Sequence, residues 1–504
     1  MFLRRPLKAS ILAMFVGMLL GSAALSRPAA AQNNIVLPPG QNNGGNNNNN
    51  NQPGQQGTNG STTVTSHTNT NISSSNVSGA NGVIIDADGV LRKREFSDPT
   101  GQLTRDRVQA AKAQLDRRVA AKSKLRKVSL NRLEAAVTAK LEKQQPITDE
   151  MLHLAGLTRV SYVFYYPDSK DVVIAGPAEG WASDLSGRVC GVETGRAILE
   201  LEDLVAALRA FPPTGKKTPV ILCSIDPTPE GLAKVQAFIK SVGPLQSPDQ
   251  ADMIVDGLRS SLGYQNIRVE GVPVNCHYAQ VLIEADYRMK LIGLGMEPPA
   301  VRMASFVDNA HPRTNSNSLQ RWYFIPDYQC VRVAADRLGM QLVGNGVKLV
   351  DEDEVIHSDG SRKATGKSNK ASKQFVSAFT KNYPEIANRT AVYAQLRNCI
   401  DLAIAAAFIQ QQDFYGKANW QMQVFGNEAA VPIATLNVPA RVETVVAAVW
   451  KDERLMTPLG GGVQLKPTRA LEAKNVQPDE DGKISELRES VAVKDLPVDQ
   501  WWWD

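Results

Sequence analysis

Two kinds of hydrophobic spacing alternate between about residues 147 and 299. Apolar runs such as VSYVFYY and PVILCSI are rich in β-branched and aromatic residues, which predicts short buried strands. The segment DPTPEGLAKVQAFIKSV has helical spacing, with Thr228 as a favourable N-cap and Pro229 as the first residue inside. This alternation of strands and helices predicts an α/β or α+β domain over residues 147–299.

From residue 300 the pattern changes to short apolar stretches separated by turn residues, which predicts an antiparallel meander of strands. The stretches are MASFV, QRWYFIP, YQCVRVAA, MQLVGN and GVKLVDE. The helical segments KQFVSAFTKNY and TAVYAQLRNCIDLAIAAAFIQQQ follow, and IDLAIAAAFI within the second predicts a buried helix rather than a membrane span. We assign residues 300–475 to this unit. The predicted fold class is α+β, with a mixed sheet, packed helices, a strand meander and a helical segment.

Residues 476–504 form a charged tail that ends in the tryptophan cluster Trp501–Trp503. Exposed tryptophans are costly without a partner. The cluster therefore either anchors a protein partner or folds back onto the rest of the chain, and the pattern leaves both alternatives open.

Residues 83–146 predict a β-hairpin followed by two helices. In GVIIDADGVLRKREF, Asp86 and Asp88 predict a tight turn rather than a calcium loop, because basic residues follow where further oxygen ligands are needed. From residue 105 to residue 143 the apolar positions recur at helical spacing, and Ser129 is expected to cap the second helix.

The two predicted helices carry many basic residues, which are candidates for binding an anionic surface such as an envelope polymer. The candidate binding residues are Arg117, Arg118, Lys124, Arg126 and Lys127. The alternative is a solvated face of a helical hairpin. No aromatic residue is interleaved with these charges, which argues against nucleic acid as a partner.

The N-terminal residues have the pattern of an export signal. Basic residues precede an apolar run from Ile11 to about Ala24, and small residues end at Ala31. This pattern predicts a secretory signal peptide over residues 1–31, and therefore a periplasmic, cell-surface or extracellular protein. Residues 32–82 consist largely of Asn, Gly, Gln, Ser and Thr, which predicts a disordered tether.

Export would change the charge and the redox environment. The chain carries a net charge of +5, and removal of four basic residues with the signal would leave +1, which does not favour nucleic-acid binding. The oxidising compartments that receive exported proteins permit disulfides, but an odd number of cysteines leaves at least one thiol without an intramolecular partner. Because most lie within apolar runs, we expect buried free thiols at Cys190, Cys223, Cys276, Cys330 and Cys399.

The stretch NCHYAQVLIEADYRMKLIGLGMEPP places Cys276 beside His277 at the start of a helix that Asn275 is expected to cap. A helix N-terminus can lower the pKa of a thiol, which makes Cys276 a candidate nucleophile. Neighbouring helical positions point about 100° apart, so His277 is badly placed to take its proton. The other candidates for a base are His153, His311 and His357.

Two pairs of opposite charges lie four residues apart in the same helix. Glu284 precedes Arg288 and Asp286 precedes Lys290, and an acidic residue N-terminal to its basic partner is the favourable order. We expect both pairs to form on an amphipathic helix.

No established catalytic motif occurs in the chain. H-E-x-x-H, G-x-S-x-G and G-x-x-x-x-G-K-[ST] are absent, and no metal or cofactor site is predicted. Gly344–Gly346 and Gly460–Gly462 predict turns or bulges, and Asp351–Glu354 predicts a solvated strand end.

Four segments carry a resemblance to a known family: VFYYPDSKDVVIAGPAEGW, CSIDPTPEGLAKVQ, EADYRMKLIGLGMEP and FTKNYPEIANRTAVYAQLR. From about residue 147 to the mid-400s the chain resembles an uncharacterised secreted family of planctomycete bacteria. The resemblance implies an exported bacterial protein and assigns no site residue.

The leading functional hypothesis is an exported, non-enzymatic protein of the cell envelope or periplasm that acts by binding or scaffolding. The alternatives are a secreted hydrolase with Cys276 as nucleophile and an anionic-polymer-binding protein that uses the basic helices over residues 105–143.

Overall fold

The computed structural model describes residues 82–504 except 87, 95, 243–249, 311–317, 357–361, 365–368, 447–459 and 491–492. The predicted signal peptide over residues 1–31 and all of the predicted tether except Gly82 lie outside the described residues. So do His311 and His357, two of the candidate bases.

The larger sheet, sheet A, contains nine strands in the described part of the chain, which are numbered along the sequence. In spatial order they are β1 (Val83–Ile85), β2 (Val90–Lys93), β15 (Arg441–Glu443), β9 (Tyr264–Glu270), β8 (Ile221–Pro227), β16 (Gly460–Leu465), β10 (Ser318–Pro326), β13 (Val347–Ile356) and β14 (Arg362–Ala364). Most neighbours are antiparallel, whereas β15–β2 and β10–β16 are parallel. The sheet is therefore mixed.

The second sheet, sheet B, has seven strands among the described residues. In spatial order they are β17 (Val476–Pro478), β11 (Val331–Val333), β12 (Gly339–Leu342), β4 (Tyr162–Tyr166), β5 (Asp171–Ala178), β3 (Ser123–Ser129) and β18 (Trp502–Trp503). A separate two-stranded ribbon consists of β6 (Trp181–Ser183) and β7 (Val189–Gly191).

The helices pack around these sheets, and together they confirm the predicted α+β class. They are α1 (Gln102–Gln114), α2 (Arg117–Ala120), α3 (Leu130–Glu142), α4 (Asp149–Leu152), α5 (Leu201–Ala210), α6 (Pro229–Val242), α7 (Gln250–Leu262), α8 (His277–Gly293), α9 (Phe306–Asn309), α10 (Lys370–Arg389), α11 (Ala391–Gln411), α12 (Phe414–Ala418), α13 (Pro467–Ala470) and α14 (Lys483–Glu489). Helices α8 and α11 contact each other and supply much of the main hydrophobic core.

Helix α11 is apolar on almost every side because it is surrounded by protein. Within the described residues it is the one helix long and apolar enough to cross a membrane, and its apolar window is entirely buried in the fold. The expected buried helix over IDLAIAAAFI is therefore confirmed.

Strands from the segments 147–299 and 300–475 are interleaved in both sheets. Strands β8 and β9 pair with β16 and β15, and β4 pairs with β12. The predicted meander forms antiparallel pairs, but β10–β13 lies in sheet A while β11–β12 lies in sheet B. The expected strand MASFV is wrong, because Ser305 and Asp308 form a capping box that begins α9.

The first of the two predicted helices is present as α1, but its helical spacing does not continue to Ser129. Helix α1 ends at Gln114, Asp116 caps the short helix α2, and residues 123–129 form β3 between β5 and β18. The sheet partners override the helical spacing in this segment. The second helix is confirmed, since Ser129 accepts a hydrogen bond from the Arg132 backbone at 3.4 Å and caps α3.

The tryptophan tail folds back onto sheet B. Trp502 and Trp503 of β18 pair with Val128 and Lys127 of β3, and Trp501 and Trp503 are buried. The guanidinium of Arg126 lies 4.6 Å from the ring centre of Trp502, a cation–π geometry. This position confirms the alternative in which the tail packs against its own chain.

Gly460–Gly462 is neither a turn nor a bulge but the start of β16, between β8 and β10. A Cβ on Gly461 would clash with the backbone oxygen of Trp322 and would lie 2.7 Å from Lys290 Cε and 2.9 Å from Asp286 Oδ1. Glycine is required here because α8 crosses the strand with a charged pair directly against its backbone. In contrast, Gly344 and Gly346 have positive φ angles, as expected of a turn.

Replacing Gly461 by alanine is expected to lower the free energy of unfolding by about 2–3 kcal/mol, because the added methyl overpacks the contact between α8 and β16. Urea unfolding of the two proteins measures the difference. Gln464→Ala on the same strand, at a half-buried position, is the matched control and should cost less than about 1 kcal/mol. Equal stability of Gly461→Ala and the wild type would contradict this role.

Candidate binding cleft

Cys276 is buried at the start of α8 and is itself the N-cap, in place of the expected Asn275. Its sulfur accepts a hydrogen bond from the Ala279 backbone at 3.4 Å and lies 3.0 Å from the carbonyl oxygen of Pro273. The side chain of Asn275 instead donates to Ala434 O at 2.9 Å. Only 1% of Cys276 is exposed, and burial raises the pKa of its thiol to about 12. The expected lowering of this pKa is wrong, because desolvation outweighs the helix terminus.

His277 points away from any role as the base of Cys276. Its Nδ1 lies 3.0 Å from both carboxylate oxygens of Asp203, and its Nε2 lies 3.4 Å from Gln395 Nε2. Burial opposes the charged ring, but Asp203 and Glu202 outweigh it and raise the pKa of His277 to about 10. A histidine that already holds its proton near neutral pH cannot accept one from a thiol.

All five cysteines are free thiols, as expected. Cys190 is partly exposed, and the other four are buried. Burial raises the pKa of Cys190 and of Cys330 to about 12. None of the thiols is therefore activated as a nucleophile.

The two ion pairs predicted in α8 are confirmed, and they lie in the interior rather than on an exposed flank. Lys290 Nζ is 3.0 Å from Asp286 Oδ2, and Arg288 Nη1 is 3.4 Å from Glu284 Oε1. The guanidinium of Arg188 also pairs with Glu284. These contacts neutralise charges within the core, and they explain the charged positions of the helix without assigning them a catalytic role.

The five basic candidates do not share one surface. Arg117, Arg118 and Lys124 are exposed, whereas Arg126 and Lys127 of β3 are buried. Arg126 has no exposed surface, because it donates to four backbone carbonyls and pairs with Asp504 at 2.9 Å. Arg126 and Lys127 are thus removed from the candidate surface, and binding by the other three stays a prediction.

A cleft of about 670 Å³ lies between α1, α2, α4 and β6. Apolar side chains of α1 form one wall, and residues of α4 and β6 form the other. The lining includes the charged, imidazole and indole side chains of Arg107, Asp116, Asp149, Glu150, His153 and Trp181. A concave site with a few converging polar groups is the usual place for a ligand.

His153 is held in a fixed orientation at this cleft. Its Nδ1 lies 3.0 Å from Glu200 Oε2, with both side chains largely buried, and its ring meets Trp181 edge to face at 5.4 Å. When Nδ1–H donates to the carboxylate, the neutral ring presents Nε2 as an acceptor. The pair can therefore orient a hydroxyl or amide donor on a ligand.

The charged groups of the cleft are partly satisfied by the protein. Glu150 accepts from the indole of Trp502, and Arg107 Nη1 donates to the backbone oxygen of Asp184 at 2.9 Å. The Arg118 backbone N–H holds the pKa of Asp116 below its usual value. Three carboxylates face one arginine in the lining, so the cleft is rich in acceptors and carries net negative charge.

Sequence reasoning named only His153 among these groups, and only as a possible base for Cys276. The lining comes from α1, α2, α4 and β6, which are separated in the chain, so no single spacing reveals it.

Among the described residues no group of His, Cys, Asp and Glu side chains is arranged to hold a metal ion. The carboxylate of Asp86 closes the β1–β2 turn by accepting from the Val90 backbone at 2.9 Å.

A family model described as "protein of unknown function (DUF1598)" matches residues 223–306. The chain therefore contains a domain of unknown function, as the resemblance implied. No curated protein and no solved structure matches the chain. The matched segment runs from β8 to α9 and contains Cys276 and all of α8, but none of the residues that line the cleft.

We expect Cys276 to be almost inert in the folded protein, because a pKa of about 12 leaves on the order of 10³-fold less thiolate at pH 8 than an ordinary cysteine has. Alkylation with iodoacetamide followed by peptide mapping measures the rate at each cysteine. The same protein in urea is the control, and there Cys276 should react at the ordinary rate. Rapid labelling of native Cys276 would revive the thiol hydrolase hypothesis.

Proposed function

We propose that the chain is an exported binding protein of the cell envelope and that its ligand occupies the cleft beside His153. The export pattern of residues 1–31 supports the location. The observation that carries the binding role is the cleft itself, with an oriented imidazole, acceptor carboxylates and an apolar wall. The hypothesis also includes a scaffolding role, in which a protein partner would enter the same cleft.

The ligand class that fits best is a neutral, hydroxyl-rich chain such as an envelope glycan. Hydroxyl groups donate to carboxylates and to an imidazole nitrogen, and they accept from an arginine. Apolar ring faces of a sugar match the side chains of Ala110 and Ala111 in α1 and of Leu115 directly after it. The net negative lining disfavours an anionic polymer at this place.

Membership of a secreted planctomycete family is part of the same proposal. Two of the segments that carry the resemblance, CSIDPTPEGLAKVQ and EADYRMKLIGLGMEP, lie within the matched residues 223–306.

Binding can be measured by isothermal titration calorimetry with soluble oligomers of N-acetylglucosamine and of glucose. We expect binding by the wild type and an affinity about fivefold to tenfold lower for Asp149→Asn, since one charged acceptor is lost. Asp149 is exposed in the first turn of α4, so the substitution should leave the fold intact. Asp168→Asn in the exposed β4–β5 turn is the matched control and should bind like the wild type.

The same titrations separate this proposal from its rivals. If no neutral oligomer binds, or if Asp149→Asn binds like the wild type, the cleft is not a glycan site. Heparin binding that weakens with salt and falls in Arg117→Gln would instead favour the anionic-polymer hypothesis, since exposed Arg117, Arg118 and Lys124 would then be the contacts.

Export predicts cleavage before Gln32. Expression of the full chain in a Gram-negative bacterium, followed by fractionation and N-terminal sequencing, should give a periplasmic or secreted protein that begins at Gln32. Deletion of residues 1–31 should leave the protein in the cytoplasm. A C-terminal tag should be avoided, because Trp502 and Trp503 form a strand of sheet B. A cytoplasmic full-length product would contradict export.

A further inference from the structure

Arg126 of β3 connects α2 with the segment that carries His153. It donates to four backbone carbonyl oxygens, three at α2 and its C-cap and one beyond α4. These are Arg118 O at 3.1 Å, Val119 O at 3.0 Å, Ala121 O at 3.0 Å and Ala155 O at 2.8 Å. Val119 lines the cleft, and Ala155 comes two residues after His153, which lines it too. One guanidinium therefore fixes two parts of the cleft lining relative to each other.

The turn after His153 is strained, which makes it dependent on contacts from outside. Leu154 has a φ of +44° and Ala155 has a φ of +51°, in the left-handed region that residues with side chains rarely adopt. Such a conformation persists only where the surrounding structure holds it. The hydrogen bond from Arg126 to Ala155 O is such a contact. Arg126 therefore supports the backbone that carries the imidazole of His153.

Arg126 is itself held by residues from the far end of the sequence. Its Nε and Nη2 donate to the two carboxylate oxygens of Asp504 at 2.9 Å and 3.1 Å, which is a bidentate pair. The ring of Trp502 lies over the same guanidinium. Arg126 is completely buried, whereas 47% of the Asp504 side chain is exposed. Because a buried charge needs its partner, Asp504 fixes the position of the guanidinium.

Trp502 provides a second link to the cleft. Its indole N–H donates to the carboxylate of Glu150 in α4, and Glu150 lines the cleft. Helix α4 ends directly before His153. Strand β18 and Asp504 thus reach the lining by two routes, one through Arg126 and one through Glu150.

We propose that residues 501–504 are a positioning element of the binding cleft. Asp504 holds the guanidinium of Arg126, which holds α2 and the turn after His153, while Trp502 holds α4. Residues 501–504 are not part of the cleft lining, so they act on a ligand only through the groups that they orient. This inference rests on the proposed binding function, because a ligand in the cleft would contact those groups.

Native-state hydrogen exchange of the ligand-free protein tests the positioning role by itself. Asp504→Asn weakens the contact with Arg126 and keeps the shape of the side chain. The Ala121 and Gly156 amides close α2 and the turn after His153 by hydrogen bonds of 3.1 Å and 2.8 Å. We expect both amides to exchange at least about threefold faster in this variant, and the amides of α11 to keep their rates. Unchanged rates at Ala121 and Gly156, or a uniform rise that includes α11, would overturn the proposal.

Trp502→Phe tests the second link, because phenylalanine keeps an aromatic ring but has no N–H for Glu150. The His153 amide closes α4 by a hydrogen bond of 2.9 Å. It should exchange about threefold faster in this variant, since α4 loses its side-chain anchor. Unchanged exchange at this amide would show that Trp502 does not hold α4. If Asp504→Asn fails to fold, Trp502→Phe decides the proposal.

Calorimetry with N-acetylglucosamine oligomers connects the positioning element to the ligand. We expect Asp504→Asn to bind about threefold to fivefold more weakly than the wild type, because its lining spends less time in the competent arrangement. Asp499→Asn, at an exposed position nearby, is the matched control and should equal the wild type in exchange and in affinity. Faster exchange with unchanged affinity would contradict an effect on the ligand. If no oligomer binds the wild type, the glycan proposal fails, and the exchange rates still decide whether residues 501–504 position the cleft.

Discussion

Helix α8 carries charged side chains into the core, and their neutralisation constrains the structure around them. Glu284, Asp286 and Lys290 are buried, and a buried charge without a partner is strongly destabilising. Their partners come from distant parts of the chain, including Arg188 near β7 and the backbone oxygen of Ile225 in β8, which Lys290 meets at 2.9 Å. The close approach of β16 in turn requires Gly461. One helix thereby fixes the relative positions of several segments that sheet pairing alone would leave less tightly specified.

The local features of this protein could be predicted from its sequence, because their causes lie within a few residues. The caps Thr228 and Ser129 and the ion pairs of α8 are of this kind, and all are confirmed. Two of the failures have distant causes. The sequence predicts Arg126 to be a surface residue of a helix, whereas in the structure it is buried and pairs with Asp504, far along the chain. The sequence predicts a turn at Gly460–Gly462, because the charged pair of α8 that requires glycine at Gly461 lies more than 170 residues earlier in the chain (461 − 290 = 171).

The candidate cleft shows the same limit in a stronger form. It joins three short segments around His153. No single stretch holds enough of the cleft to form a motif. Cys276 and His277 show the converse, because residues adjacent in sequence need not form a site. Burial raises the pKa of the Cys276 thiol, and Asp203 keeps His277 protonated, so the two side chains do not act together.

The pairing of β18 with β3 has a consequence for the timing of synthesis. The two strands are separated by more than 370 residues, so the edge of sheet B beside β3 stays open until Trp502 has left the ribosome. Arg126 likewise lacks its ion-pair partner until Asp504 emerges. Sheet B is therefore completed only after the last strand has been synthesised, which makes the native packing around β3 a late step of folding.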